Sequence, residues 1–352
     1  MIPIPTHDPD PHSSGFAMQN FLDPAILFFV FGVIAGALRS NLEIPAPIAK
    51  FLSLYLLMAL GLKGGFALAA SGLTIEILLS LVAAMLMAFV VPILAYALLR
   101  HQVSGFDAAA LAASYGSVSA VTFLTAMQSL EDAGLGVGGH MAMAMVLMES
   151  PAIVVAILIG NTLRKTRTAP AREAAGAATP QEAASVSSAP SIGTVLHESL
   201  TSGAHLLLLG SMLVGLLSGE SGKATMQPFS SDLFKGMLAF FLLDMGLMVA
   251  RNFGDARKAP LALLGYAVLA PFVHAAMALA LAWVLGLGLS DGFLLMVLSA
   301  SASYIVVPAV LRDAIPEANP AIYFGLSLGI TFPLNILLGI PVYSVAAHAV
   351  LG

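Results

Sequence analysis

The segment Phe106–Leu124 reads FDAAALAASYGSVSAVTFL, and the segment Asp291–Leu311 reads DGFLLMVLSASASYIVVPAVL. Each has an aspartate at or next to its start, continues as an apolar run and is interrupted midway by small hydroxyl residues. The interruptions are Ser114-Tyr-Gly-Ser-Val-Ser119 and Ser299-Ala-Ser-Ala-Ser303, and Pro308 follows the second within two turns. About 20 apolar residues at about 1.5 Å each cross the roughly 30 Å of hydrocarbon in a bilayer, so both segments predict a membrane-spanning helix that breaks near its middle. A broken helix exposes half-helix N-termini, whose N–H groups and dipoles attract an anion. The carbonyls and hydroxyls freed at the break suit a hard cation such as sodium. Two interruptions in corresponding positions point to a substrate site, which makes Gly116, Ser117, Ser119, Ser301 and Ser303 candidate binding residues and the four serines candidate sodium ligands. For either run alone, the alternative is that Ser and Gly only allow helices to approach closely.

Around these two segments the halves of the chain resemble each other in order. Lys50–Phe66 (KFLSLYLLMALGLKGGF) parallels Lys235–Phe253 (KGMLAFFLLDMGLMVARNF). Leu130-Glu131-Asp132 parallels Ile315-Pro316-Glu317, and Glu149-Ser150-Pro151 parallels Thr331-Phe332-Pro333. Apolar candidates for spanning helices lie near 24–40, 45–62, 73–100, 106–130 and 138–162, then near 198–218, 231–250, 259–286, 290–312 and 319–349. The expected architecture is therefore an all-α integral membrane protein with about ten transmembrane helices, arranged as two inverted five-helix repeats in which helices four and nine are broken. Its expected parts are an extracytoplasmic tail over 1–23, repeat one over 24–163, a disordered cytoplasmic linker over 164–193 and repeat two over 194–352. Inversion matters because exchanging the conformations of two such halves turns an outward-open state into an inward-open one.

Charge supports this layout. Of 14 Lys and Arg, Arg39, Lys50, Arg100, Arg164, Lys165, Arg167, Arg172, Arg251, Arg257, Lys258 and Arg312 follow odd-numbered helices, while Lys63, Lys223 and Lys235 fall on the other side. The positive-inside rule then puts the linker in the cytoplasm and both termini outside. Hydrophobic residues are 59% and charged residues 9% of the 352, against roughly a quarter charged in soluble domains, so the chain cannot cover a water-facing exterior of this size. A net charge of −5 provides no basic field for nucleic acid. The absence of cysteine removes disulfides, thiolate catalysis and thiolate metal sites. The first twenty residues hold no Lys or Arg and do not read as a cleaved signal peptide, so the first helix is expected to act as its own insertion signal in the inner (plasma) membrane.

Enzyme signatures fail, and the chain reads as a non-enzyme without a cofactor. It contains no HExxH, and Gly116-Ser-Val-Ser119-Ala lacks the closing glycine of a nucleophile elbow. Gly134-Leu-Gly-Val-Gly-Gly139 follows no strand and reads as a turn between helices. Gly32–Gly36 and Gly325–Gly329 are GxxxG pairs that read as packing faces. Glu149 lies in a long apolar span, where a carboxylate at the bilayer centre costs about 2.5–3.5 kcal/mol. It either holds the site, relays a proton or lies nearer an interface, and Asp244 is similar, with a neutral hydrogen-bonded role equally open. His274, three residues past Pro271, reads as a packed, hydrogen-bonded side chain, and Lys63 beside Gly64-Gly65 as a snorkelling residue at a helix end.

Through Ile44-Pro45, Gly61-Leu-Lys-Gly-Gly65, Met148-Glu-Ser-Pro-Ala152, Ala270-Pro-Phe-Val-His274 and Leu311-Arg-Asp-Ala-Ile-Pro-Glu-Ala-Asn-Pro320, the chain resembles the SbtA-type sodium-dependent bicarbonate permeases over nearly all of 24–345. The resemblance implies a homotrimer that holds bicarbonate and sodium where the broken helices meet. It also implies a PII-like signalling protein at the cytoplasmic face in those members that have one. Ser117, Ser119 and Thr122 match the family's first polar run, and Ser301 and Ser303 the second. Tyr304 stands where bicarbonate carriers have an aspartate, Val306-Val307 replaces Ser-Gly, and Val121 replaces a serine. These departures leave the implied fold intact but remove a carboxylate and small residues from the implied sodium and bicarbonate site. A carrier of another organic anion, coupled to sodium or protons, and a membrane anion sensor that transports nothing are the alternative readings.

Overall fold

A computed structural model describes residues 22–72, 74–174, 197, 202–257 and 259–352. The N-terminal tail up to residue 21 and most of the expected linker lie outside the described residues. No strand occurs among the described residues, whose elements are all helical. In chain order these are α1 (Pro24–Ala37), α2 (Ala46–Ser71), α3 (Ile75–Leu99), α4 (Gly105–Gly116), α5 (Ala120–Asp132) and α6 (His140–Ala174). There follow α7 (Gly203–Gln227), α8 (Phe234–Ala256), α9 (Leu261–Leu285), α10 (Leu289–Ala300), α11 (Val306–Ala314) and α12 (Pro320–Leu351). Within α12, Ser327–Thr331 and Asn335–Gly339 are π turns on either side of Pro333, a distortion frequent at functional sites. Among the described residues, seven helical stretches are long and apolar enough to cross a membrane, Gly105–Asp132 taking in α4 and α5 and Gly203–Gly254 taking in α7 and most of α8.

Helix starts follow local chemistry. Asp23 caps α1 through the Ala25 N–H at 2.8 Å, Ser104 caps α4 through the Asp107 N–H at 3.1 Å, and Asn319 caps α12 through the Ala321 N–H at 3.0 Å, each relieving an otherwise unpaired donor. The turn at 134–139 joins α5 to α6 as its composition predicts, with Gly134 in the left-handed region at φ 73.

The molecule is apolar outside and buries a set of polar side chains within an apolar core. Val82, Leu86, Phe89 and Ile93 on α3, and Leu269, Val273 and Trp283 on α9, are exposed, whereas Ser114, Ser117, Ser119, Glu149, His205, Ser301 and Ser303 are buried. Such an arrangement suits a lipid exterior and not water.

Glycines set the closest helix contacts. A Cβ on Gly32 would strike the Leu243 carbonyl and one on Gly36 the Ala250 side chain, so α1 lies directly on α8. Gly61 and Gly65 meet the Leu208 and Met212 carbonyls in the same way, bringing α2 against α7. Gly325 and Gly329 face Ala256. The GxxxG pairs thus pack helices together, as expected. Lys63 differs from its expected place at a helix end. The α2 helix runs on to Ser71, with Gly61 and Gly65 helical against α7 and Gly64 against Gly139 and Ala142. The ammonium group pairs with Glu131 at 2.8 Å and lies 4.3 Å from the centre of the Phe234 ring. Further along the chain, α6 continues to Ala174, past residue 164 where the linker was expected to begin.

Candidate functional site: the crossing of two interrupted helices

The interruptions fall at the polar runs. Helix α4 ends at Gly116 and α5 begins at Ala120, while α10 ends at Ala300 and α11 begins at Val306. Gly116 is held tightly, because a Cβ there would run into the Pro92 ring. The two breaks meet each other directly. The Ser303 N–H donates to the Ser114 carbonyl at 2.7 Å, and the Ser119 N–H donates to Ser301 Oγ at 2.9 Å. Ser301 Oγ in turn donates to the Leu298 carbonyl at 2.8 Å. Ser119 also caps α5, accepting from the Thr122 N–H at 3.3 Å and from Thr122 Oγ1 at 3.0 Å.

α12 supports the crossing from behind. Asn335 Nδ2 donates to the Ala300 carbonyl at 2.8 Å, and Asn335 Oδ1 accepts from the Tyr343 hydroxyl at 2.8 Å. The imide nitrogen of Pro271 has no hydrogen to donate, so the Ala267 carbonyl lacks its helical partner. Thr331 Oγ1 donates to that carbonyl at 2.8 Å and lies 2.7 Å from the Tyr115 hydroxyl. The hydroxyls of Ser114, Ser117 and Ser299 are buried and have no hydrogen-bond partner among the described residues. Buried polar groups of this kind cost free energy unless something satisfies them, and hydroxyl oxygens are ligands that a hard cation accepts.

A cavity of about 90 Å³ opens beside the crossing. Ser119, Ala120 and Val121 border it from one break, and Ser303, Tyr304, Ile305 and Val306 from the other, so the N-termini of α5 and α11 both face it. Opposite lie Glu149 of α6 and His205 of α7. These two side chains are buried and form a hydrogen-bonded pair, His205 Nε2 to Glu149 Oε2. From the expected set, Ser119, Ser303, Tyr304 and Glu149 line the cavity, whereas Gly116, Ser117, Thr122 and Ser301 sit within the crossing and off its lining. Buried Tyr304 packs against Phe332 at 5.0 Å, and its hydroxyl lies 3.5 Å from Ser119 Oγ. The Tyr304 side chain also borders a second cavity, of about 410 Å³, with Pro308, Arg312 and Tyr323.

His205 was not singled out from the sequence. An ionisable residue in the apolar run Gly203-Ala-His-Leu-Leu-Leu-Leu-Gly210 is itself a signal, but its partner Glu149 stands on another helix across the linker. Asp244 is buried. His274 is packed as expected, with a ring bond to the Ser299 backbone and with no partner for Nδ1 among the described residues.

An apolar exterior, helices long enough to span and a buried polar crossing define a multi-pass membrane protein. A model of the Na+-dependent bicarbonate transporter superfamily matches residues 24–348, and the chain belongs to that superfamily. No curated protein matches the chain.

Proposed function

We propose that this protein imports bicarbonate, or another small anion, together with sodium, by alternating access at the crossing. The observation that carries this reading is the direct contact of two interrupted helices beside a cavity faced by two helix N-termini. N–H groups and dipole ends there suit an anion, and the unpartnered serine hydroxyls, Ser117 among them, suit sodium as the co-transported ion. Ser119 and Ser303 line the anion's cavity, while Ser117 and Ser301 lie on the cation's side.

Alternating access requires two exchangeable halves, and the contacts support such an exchange. Helix one lies on helix seven of the ten (α1 on α8), and helix two on helix six (α2 on α7), which are the same pairing with the halves swapped. Asp107, in the first turn of α4, accepts the Asn319 N–H at the start of α12 at 2.7 Å. Asp291, in the first turn of α10, accepts from His140 at the start of α6 at 2.8 Å. We read the layout as ten spans in two inverted repeats, with the linker in the cytoplasm, both termini outside and the chain in the plasma (inner) membrane as a homotrimer. A PII-like protein is then a candidate partner at the cytoplasmic face.

The test is uptake of labelled bicarbonate by proteoliposomes with and without an inward sodium gradient. Accumulation that the gradient drives supports the reading. Binding without accumulation makes the protein a sensor. Accumulation indifferent to sodium favours a different coupling ion, a reading to which Tyr304 in the crossing already lends weight.

A further inference from the structure

The 90 Å³ cavity presents a problem for an anion. Its lining includes the Glu149 carboxylate and, among the described residues, no lysine or arginine. Ser53 and Leu57 of α2, Ala204 and Leu208 of α7, and Ser119 and Ser303 of the crossing bring no charge, and Tyr304 is the other ionisable side chain in the lining beyond Glu149 and His205. With a neutral imidazole donating its Nε2–H to Glu149, the pair places one negative charge on the wall of the cavity. One more proton on the His205 ring turns the pair into an imidazolium and a carboxylate, with no net charge. The pair is buried within apolar helices, His205 at 4% exposure and Glu149 at 7%, where a carboxylate–imidazole pair is a functional candidate by default and histidine is the side chain that changes charge near neutral pH.

Resting on the reading of the crossing as an anion site, we propose that Glu149 and His205 form a proton-binding site that must be loaded before the cavity accepts its anion. The proton comes from the water on the side where the anion enters, resides on the imidazole while the anion is bound, and leaves with it on the other side. The transported charge of the anion is thereby offset by one.

The experiment is equilibrium binding of labelled bicarbonate to the purified full-length protein from about pH 6 to about pH 9, with the bicarbonate ion held at fixed concentration. The wild type is expected to lose apparent affinity toward the alkaline end, approaching about tenfold per pH unit for one coupled proton. Glu149→Gln removes both the repelling charge and the carboxylate that holds the extra proton on the imidazole, so its affinity should fall less steeply with pH and exceed that of the wild type at the alkaline end; a merely structural role would weaken binding at every pH. A pH-independent wild type, or a Glu149→Gln variant that keeps the wild-type slope, overturns the proposal. If the wild type binds no bicarbonate at any pH, it is the anion reading that falls. The proton site then stands or falls on nitrogen-15 NMR of histidine-labelled protein, with the His205 signal identified by its loss in His205→Gln. Titration of that signal by one proton across the range supports the site, and a signal fixed in one state overturns it.

Discussion

The backbone N–H of Ser303 is bonded to the backbone carbonyl of Ser114 at 2.7 Å. In an unbroken helix that carbonyl would accept from the N–H four residues later, and the break at Gly116 removes that donor. The second interrupted helix supplies the donor that the first has lost. Within a bilayer, where each unsatisfied backbone group costs several kcal/mol, neither break is stable without the other, so the crossing is built as a unit.

Substitution of either cavity-facing serine should therefore affect function more than assembly. Ser119→Ala and Ser303→Ala each remove a hydroxyl from a residue that lines the cavity; the Thr122 and Val307 N–H groups lose a side-chain acceptor, but the bonds from the Ser303 and Ser119 N–H groups across the crossing stay in place. A hydrogen bond to a charged group is worth about 1.5–3 kcal/mol, roughly ten- to a hundredfold in affinity. Anion uptake kinetics should show a higher KM at unchanged membrane expression. Normal transport in both variants would mean that the serines only let helices approach.

Asn335 should matter for stability. Its side chain satisfies the Ala300 carbonyl, where α10 stops, and receives the Tyr343 hydroxyl. Asn335→Leu leaves two buried groups unpaired, at about 1–3 kcal/mol each. A lowered Tm in detergent is expected, and an unchanged Tm would show that α12 does not support the break.

The contact between α1 and α8 has no room for a side chain at its centre. Gly246→Val drives a Cβ and two methyls into the Phe29 carbonyl, and the expected outcome is loss of folded, monodisperse protein in size-exclusion chromatography. Gly236, on the same helix, has nothing within 4 Å of where its Cβ would be. Gly236→Val should purify normally, with a stability change of about 0.5 kcal/mol or less.

The parts of this structure that were legible in the sequence are those with a local cause. Apolar lengths marked the helices, the serine runs marked both interruptions, and Gly32–Gly36 and Gly325–Gly329 marked packing faces. The rest depends on contacts between residues far apart in the chain. The sequence around Lys63 suggests a helix end because glycine is a poor helix former, and only the close fit of Gly61 and Gly65 against α7 keeps that stretch helical. Nothing near Glu149 announces His205 as its partner, since the two stand on α6 and α7 with the linker between them. Ser119 and Ser117 read alike in sequence, yet one lines the cavity and the other is turned into the crossing, a distinction fixed by the backbone of the break.

Tyr304 fills the place where the bicarbonate carriers that this chain resembles have an aspartate. Tyr304→Asp restores a hard oxygen ligand at the crossing, and the ratio of uptake with sodium to uptake without it should rise. A ratio equal to that of the wild type would show that the coupling ion binds elsewhere.

The central claim, that the crossing is the substrate site, is tested most directly by chemical access. The chain contains no cysteine, so Ser303→Cys places a single thiol on the wall of the cavity. In proteoliposomes, a small impermeant thiol reagent should modify that thiol, and bicarbonate at about ten times its Kd, with sodium present, should slow the reaction about tenfold by occupying the site. A thiol that reacts at the same rate with and without bicarbonate while the variant still transports, or one that reacts from neither side of the membrane, would contradict the claim.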